Sequence, residues 1–197
     1  MKFLHELLAR TGIKSHDNHL SLPRADRFRQ IDMGVGAVSI EEAMFLYGLV
    51  GIVKPDVVIE LGTAEGASAV FLAAACADFG AGKVFSIDYA EAPPAIALKL
   101  SQELELPLQF ECGTRSLEWL ERFSPSSTSK YLVFSDTEMK IRPDEVLYVK
   151  EKFPQGTCIA VHDTASGHPY GPMNLAERIG VDVLELPSPR GLSILIS

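Results

Sequence analysis

The sequence predicts one α/β domain with a mostly parallel sheet, because short strand-like segments alternate with helix-length segments along most of the chain. The 197 residues, 47% of them hydrophobic, are enough for a single core. The predicted strands are dense in Val, Ile, Leu and Phe, as expected where helices cover both faces of a sheet. Together these observations predict a Rossmann-like, doubly wound sheet of seven strands that ends in an antiparallel hairpin.

The regular part of the chain begins with a helix. Ser39 and Glu42 form an S-x-x-E capping box, which predicts a helix through about Val53 that Pro55 ends. Five strands are then predicted at 56–61, 83–88, 107–112, 130–136 and 156–163. The helices predicted between them lie near 65–78, 93–104, 114–123 and 143–152. Two more strands, at 181–186 and 191–197, are joined by the turn-forming sequence PSPR, which predicts the hairpin.

Residues 1–38 are less regular, so we separate this N-terminal segment from the main domain at 39–197. A short helix is predicted at 3–10. The polar stretch after it holds two histidines and three arginines that are expected to lie at the surface: His16, His19, Arg24, Arg27 and Arg29. We expect the segment to cap a substrate site or to contact a second subunit in a homodimer.

Composition excludes several classes of protein. The net charge is −8, from 18 basic and 26 acidic residues, which argues against nucleic acid as the main partner. No stretch approaches the roughly 20 apolar residues of a membrane helix, and Glu6 and Arg10 interrupt the start of the chain where a secretory signal would be apolar. The sequence thus predicts a cytoplasmic protein that does not span a membrane. Its three separate cysteines are expected to be reduced thiols: Cys76, Cys112 and Cys158.

The strongest local signal is a strand, turn and helix at 58–68, with the sequence VIELGTAEGAS. Small residues at Gly62, Ala64 and Gly66 allow a tight turn and close approach of a ligand, and the first amides of the helix are free donors. The spacing is neither the G-x-G-x-x-G dinucleotide fingerprint nor a phosphate loop. Glu60 repels an anion and suits an amino or sulfonium cation. A tight turn without ligand is the alternative.

Asp88 ends the second predicted strand. An acid at this edge of the sheet can accept two hydrogen bonds from ribose hydroxyls, although capping of a helix is the alternative. The third strand runs into a loop at 112–116, which contains Gly113 and Thr114 and also has the form of an ordinary strand-to-helix connection.

Carboxylates also follow the fourth and fifth predicted strands. Asp136 ends the fourth strand, with Glu138 two residues on, while His162 and Asp163 end the fifth. These ends meet beside the first turn in an open α/β sheet. Asp136, His162 and Asp163 are therefore a candidate site for Mg²⁺ or Mn²⁺, which would orient a substrate oxygen and lower its pKa. The alternative is hydrogen bonding at strand ends, but two carboxylates repel each other unless a cation or a proton lies between them.

Taken in this order, the motifs of residues 38–197 resemble those of class I S-adenosylmethionine-dependent methyltransferases. The first motif of that family is acid-x-Gly-x-Gly-x-Gly, from which Ala64 departs. A strand ending in Asp-x-acid, paired with one ending in His-Asp-Thr, is similar to the small-molecule O-methyltransferase branch sometimes called methyltransferase family 24. The resemblance implies methyl transfer from S-adenosylmethionine to a hydroxyl group of a small molecule.

The resemblance also implies roles for individual residues. Glu60 and the turn would hold the methionine end of the cofactor, Asp88 the ribose, and Gly113 with Thr114 the adenine side. The complete set of cofactor-binding residues is Glu60, Gly62, Thr63, Ala64, Gly66, Ser68, Asp88, Gly113, Thr114 and Asp136. The catalytic residues would be Asp136, Glu138 as general base, and His162, and the metal ligands Asp136, His162 and Asp163. The acceptor pocket would be formed by the N-terminal segment and the loop at 166–172, which includes His168 and Tyr170.

The sequence departs from the family after Asp136. Relatives commonly have Gly-Asp-His where this chain has Thr137-Glu138-Met139, so a histidine base is absent at position 139, and Lys140 is one place away from the lysine of the catechol type. The metal requirement and the identity of the base are therefore open. An aminopropyltransferase and a non-catalytic protein that binds S-adenosylmethionine are the alternatives on the same fold.

Overall fold

The computed structural model describes residues 38–167 and 173–197. The helix predicted at 3–10, the histidines and arginines of the N-terminal segment, and His168 and Tyr170 lie outside the described residues.

Seven strands form one sheet in the order β3-β2-β1-β4-β5-β7-β6. They are β1 Val57–Leu61, β2 Lys83–Ile87, β3 Leu108–Glu111, β4 Tyr131–Ser135, β5 Cys158–His162, β6 Leu184–Leu186 and β7 Leu192–Ile196. Strands β1 to β5 are parallel to one another, and β7 runs antiparallel to both β5 and β6. The predicted doubly wound sheet with its C-terminal hairpin is therefore confirmed.

The helices in the described part of the chain alternate with the strands. They are α1 Ile40–Val53, α2 Ala67–Phe79, α3 Ala95–Glu103, α4 Ser116–Arg122, α5 Arg142–Lys152 and α6 Leu175–Ile179. The capping box of α1 is present, because the Ser39 hydroxyl accepts from the Glu42 N–H at 3.2 Å and the Glu42 carboxylate accepts from the Ser39 N–H at 2.7 Å. None of the helices in the described ranges is both long and apolar enough to cross a membrane.

The core has two parts, one on each face of the sheet. One part includes Tyr47 of α1 and Phe71 of α2, and the other includes Trp119 of α4 and Val149 of α5. Neighbouring residues of β1 alternate between them, since Val58 belongs to the first part and Ile59 to the second. The sheet is thus covered on both faces, which explains why its strands are apolar throughout.

The strand register places the predicted site at one edge. Leu61 at the end of β1 pairs with Ile87 of β2 and with Ser135 of β4. The next residues along the three strands are Gly62, Asp88 and Asp136, so all three lie at the carboxyl edge of the sheet.

Candidate functional site

A cavity of about 720 Å³ opens at this carboxyl edge. It is formed by the turn after β1, the segments that follow β2 and β4, and the start of α4. The lining residues are Gly62, Ala64, Glu65, Ile87, Asp88, Tyr89, Ala90, Arg115, Ser116, Leu117, Glu118, Asp136, Thr137, Glu138, Ile141 and Asp144.

The turn at one end of the cavity requires small residues for two physical reasons. Gly62 has a φ of +95°, and a Cβ added there would lie 2.4 Å from the carbonyl oxygen of Asp136. Gly66 has a φ of +78°, and an added Cβ would lie 2.5 Å from the Cβ of Ala97 in α3. Ala64 also has a positive φ, 45°, in the left-handed region that glycine tolerates best. The small residues therefore bring the turn close to β4 and α3.

Asp88 is held by backbone amides. Its Oδ2 accepts from the N–H groups of Thr63 at 2.9 Å and Ala64 at 3.1 Å, and its Oδ1 accepts from the N–H of Ala90 at 2.9 Å. The turn amides that we expected to face a ligand thus donate to Asp88. Since each carboxylate oxygen has about two acceptor positions, Oδ1 retains capacity for a further hydrogen bond at the cavity.

Glu60 lies outside the cavity lining and is fully buried. Its Oε2 accepts from the Ser86 hydroxyl at 2.5 Å, and the hydroxyls of Ser86 and Thr63 are 2.7 Å apart. Burial raises the pKa of Glu60 to about 8, because the polar side chains of Ser68 and Ser86 offset it only in part, so the carboxyl group is mainly protonated at neutral pH. Its Oε1 is buried without a hydrogen-bond partner among the described residues.

Asp136 and Asp163 flank a cation that the sequence analysis missed, the guanidinium of Arg142. This side chain is almost fully buried, and its Nη2 lies 2.9 Å from Asp136 Oδ1 and 3.0 Å from Asp163 Oδ2. Arg190 adds a second guanidinium, because its Nε donates to Asp163 Oδ1 at 2.5 Å. Burial opposes ionisation of Asp163, but the Arg190 hydrogen bond and the charges of His162, Arg142 and Arg190 lower its pKa to about 2.

His162 is fully buried, with both ring nitrogens engaged. Nδ1 lies 2.9 Å from Asp136 Oδ1, and Nε2 lies 3.2 Å from Glu42 Oε2 in α1. Burial alone would lower the pKa of His162, but the hydrogen bonds to Asp136 and Glu42 and the nearby carboxylate charges raise it to about 9. The ring is therefore an imidazolium at neutral pH, and it has no free nitrogen for a metal or for a substrate proton.

The three residues predicted as metal ligands do not form a site that suits a metal ion in this arrangement. Ligand atoms of Asp136, His162 and Asp163 do lie within 4.8 Å of one another, so the structure brings them together as expected. Metal binding requires a neutral imidazole and available carboxylate oxygens. Here both ring nitrogens of His162 already contact carboxylates, and Asp136 and Asp163 already bind guanidinium groups.

Three other predicted site residues lie outside this network of buried charges. Glu138 lines the cavity and is exposed, and its hydrogen bond and ion pair with Lys140 at 2.7 Å lower its pKa. Gly113 and Thr114 do not line the cavity, although the next four residues along the chain do. The Thr114 hydroxyl instead accepts from Arg122 at 2.6 Å.

Arg142 had one usable signal in the sequence. It stands immediately before Pro143 at the start of a predicted helix, where the positive end of the helix dipole disfavours a cation. A basic residue in that position indicates a nearby acidic partner. Glu42 and Tyr89 gave no comparable signal, because the first is part of an ordinary capping box and the second is an exposed aromatic residue on the cavity wall.

Comparison with known families and structures agrees with the resemblance predicted from the motifs. The family described as Rhamnosyl O-methyltransferase/CmcI matches residues 31–102, which include the capping box, the glycine turn and Asp88. A search of curated proteins gave no match.

Solved structures with the same fold cover nearly the whole chain. One is the O-methyltransferase TomG of Streptomyces achromogenes, involved in tomaymycin synthesis and solved with S-adenosylmethionine; identity is 18%, coverage 94% of this chain and 92% of that one, and the TM-score 0.65. Another is the Podospora anserina methyltransferase PaMTH1 bound to S-adenosylhomocysteine, with 14% identity, coverage of 100% and 96%, and a TM-score of 0.67. An O-methyltransferase of Bacillus cereus, also with S-adenosylhomocysteine, shares 17% identity over 97% and 95% of the two chains, with a TM-score of 0.65.

The family match and the shared fold confirm the predicted resemblance to class I O-methyltransferases. They support S-adenosylmethionine-dependent methyl transfer as the class of function. Neither finding favours an aminopropyltransferase or a non-catalytic binding protein.

Proposed function

We propose that this chain transfers a methyl group from S-adenosylmethionine to a hydroxyl group of a small molecule. The observation that carries the proposal is the cavity at the carboxyl edge, where the glycine turn, Asp88 and Asp136 meet. Ligands of open α/β sheets bind in this position.

The cavity fits such a cofactor in size and charge. Its volume of about 720 Å³ lies within the roughly 300–1,000 Å³ typical of small-molecule pockets. Six acidic residues line it, against Arg115 as the single basic one in the lining set. This excess favours a cationic ligand that carries a sulfonium and an ammonium group. Oε1 of Glu60 has no hydrogen-bond partner among the described residues, and as part of a protonated carboxyl group it can donate or accept a hydrogen bond, consistent with a role at the methionine end.

The residues of the cavity have separable roles in binding. Asp88 can accept a ribose hydroxyl at Oδ1, while its Oδ2 fixes the turn through Thr63 and Ala64. Tyr89 and Leu117 offer apolar surface for the adenine, in place of a direct contact by Gly113 or Thr114. Binding of the cofactor thus depends on the backbone conformation of the turn as much as on the chemistry of the side chains.

The bound cofactor supplies a methyl group already activated on a sulfonium, so the protein has to position the acceptor hydroxyl and receive its proton. Asp136 lines the cavity, and its Oδ1 is held by Arg142 and His162, which leaves Oδ2 to orient the acceptor. Glu138 at the rim is the second candidate proton acceptor. His162 acts behind Asp136 by fixing its orientation, and no step uses a metal.

Our proposals for the acceptor pocket, the homodimer contact and the location of the protein rest on the sequence alone. We propose that residues 1–38 and the loop at 166–172 complete the acceptor pocket, and that residues 1–38 also provide any homodimer contact. The net charge of −8 favours a small-molecule acceptor over nucleic acid. A cytoplasmic location stays a prediction from the sequence.

Calorimetry with S-adenosylmethionine, S-adenosylhomocysteine and NAD tests the proposal. We expect both adenosyl ligands to bind and NAD not to bind. Failure of both adenosyl ligands to bind would refute the proposed function.

Asp88→Ala tests the cofactor site itself. The change removes a charged hydrogen-bond acceptor, worth about 1.5–3 kcal/mol, so the affinity for S-adenosylhomocysteine should fall roughly 10- to 100-fold. Glu91→Ala, an exposed acid of the same loop that does not line the cavity, is the matched control and should bind as the wild type does. If the two variants bound S-adenosylhomocysteine with equal affinity, Asp88 would not be a cofactor-binding residue.

A further inference from the structure

Arg142 connects the ends of two strands across the acceptor side of the cavity. As the first residue of α5, it extends back toward the sheet with 3% of its surface exposed. Its Nε donates to the carbonyl oxygen of Thr137 at 2.8 Å, Nη1 donates to the carbonyl oxygen of His162, and Nη2 reaches both Asp136 and Asp163. The guanidinium therefore lies between the two carboxylates that the sequence predicted as metal ligands.

These carboxylates are balanced in charge without an ion. Asp136 and Asp163 carry two negative charges, and Arg142 and Arg190 supply two guanidinium groups that stay protonated at any physiological pH. A divalent cation would have to displace Arg142 from both carboxylates, and a displaced guanidinium would remain buried near the ion and repel it.

We propose that the Arg142 guanidinium occupies the place that the family resemblance assigns to a divalent cation, so that methyl transfer by this chain needs no metal. Arg142 is then a positioning residue, which fixes the ends of β4 and β5 and holds Asp136 toward the cavity. The role of Asp136 toward an acceptor rests on the proposed function, whereas the displacement of the metal by Arg142 does not.

Mn²⁺ is the probe for this inference, because its electron paramagnetic resonance signal reports binding directly. The full chain, stripped with a chelator, should leave Mn²⁺ free in solution. Arg142→Ala should gain a Mn²⁺ site, because Asp136 and Asp163 lose the guanidinium that lies between them. Adding Asp163→Asn to this variant should remove the new site.

Two further variants control for charge and folding. Arg142→Lys keeps a cation at the site and should not bind Mn²⁺, and Arg178→Ala, which removes an exposed arginine of α6, should behave as the wild type does. Far-UV circular dichroism checks that each variant is folded. The wild-type titration decides the question even if Arg142→Ala does not fold.

Stoichiometric binding of Mn²⁺ by the wild type that is lost in Asp136→Asn or Asp163→Asn would overturn the inference. The outcome is independent of the cofactor. A wild type that binds neither Mn²⁺ nor S-adenosylhomocysteine would refute the proposed function and leave the metal inference standing.

Discussion

Asp88 and Asp136 follow β2 and β4, the two strands on either side of β1, and both line the cavity, but they are held in different ways. Three backbone N–H groups fix Asp88, whereas Arg142 and His162 fix Asp136. The proposed cofactor side is thus organised by local backbone conformation. The proposed acceptor side is organised by a buried network of charged side chains.

A substitution at Ala64 tests the backbone conformation of the turn after β1. Its φ of 45° costs an alanine roughly 1 kcal/mol relative to glycine. Ala64→Gly should therefore raise the free energy of unfolding by up to about 1 kcal/mol in urea denaturation. Ala77→Gly in α2 should lower it by about the same amount, because glycine is unfavourable within a helix. A loss of stability in Ala64→Gly would contradict the conformation of the turn.

The sequence was sufficient to identify the acidic residues of the site, but not the side chains that bind them. Asp136, His162 and Asp163 were recognisable because each stands at a predicted strand end. The contact between His162 and Glu42 joins residues 120 positions apart, and the position of Arg142 depends on how the chain turns between β4 and α5. Such contacts follow from tertiary structure, which spacing along the chain does not encode.

At the scale of elements, Glu42 has two functions. It closes the capping box of α1, and it binds the imidazole of His162 at the end of β5. Burial opposes its ionisation, but the hydrogen bonds from His162, Ser188 and the Ser39 backbone lower its pKa to about 2. The first helix is thereby attached to the strand that carries the acceptor side of the site.

Substitutions in α1 separate these two functions. Ser39→Ala removes only the cap and should cost about 1 kcal/mol. Glu42→Gln keeps a side chain that can close the capping box but removes one of the two carboxylates hydrogen-bonded to His162, so it should cost more, about 3 kcal/mol. Glu41→Gln, an exposed neighbour, should be nearly neutral in the same denaturation experiment. A Glu42→Gln variant as stable as Glu41→Gln would show that the ion pair contributes nothing.

The regular elements were largely predictable. All seven strands and the five longer helices appear where the pattern of apolar residues, the capping box and the turn residues indicated them. The short helix Leu175–Ile179 was not predicted, because five residues are too few to show helical periodicity. It also begins after Asn174 in a left-handed conformation, without a side-chain cap.

At the scale of the whole molecule, the acidic composition has a structural explanation at the cavity edge. Part of the net charge of −8 lies at the carboxyl ends of parallel strands, where the topology brings acids together. Two of those acids are offset by the guanidinium groups of Arg142, which is buried, and Arg190, which is partly exposed; a third, Glu60, is neutralised by protonation. The remainder gives the cavity its negative potential.

Protonation should make the stability of the protein depend on pH. Glu60 has a pKa of about 8 in the folded chain against 4.5 ordinarily, and His162 about 9 against 6.5. Both groups bind protons more tightly when folded, so their contribution is complete at low pH. The contribution of Glu60 is lost as pH rises from about 4.5 to 8, and that of His162 between about 6.5 and 9.

We therefore expect the free energy of unfolding to fall from mildly acidic pH toward pH 9, by a few kcal/mol in total. Glu60→Gln should remove the decline that begins near pH 4.5, while keeping a neutral side chain of the same shape. Urea denaturation at a series of pH values measures both effects. A stability that rises through this range in the wild type would contradict the assigned protonation states.

We propose that the cavity at the carboxyl edge binds S-adenosylmethionine. A crystal structure of the full chain grown with S-adenosylhomocysteine tests this directly. We predict density for the ligand in this cavity, with a ribose hydroxyl bonded to Asp88 and the sulfur directed toward Asp136. Ligand bound elsewhere on the protein, with the space beside Asp88 filled only by solvent, would contradict the proposed site.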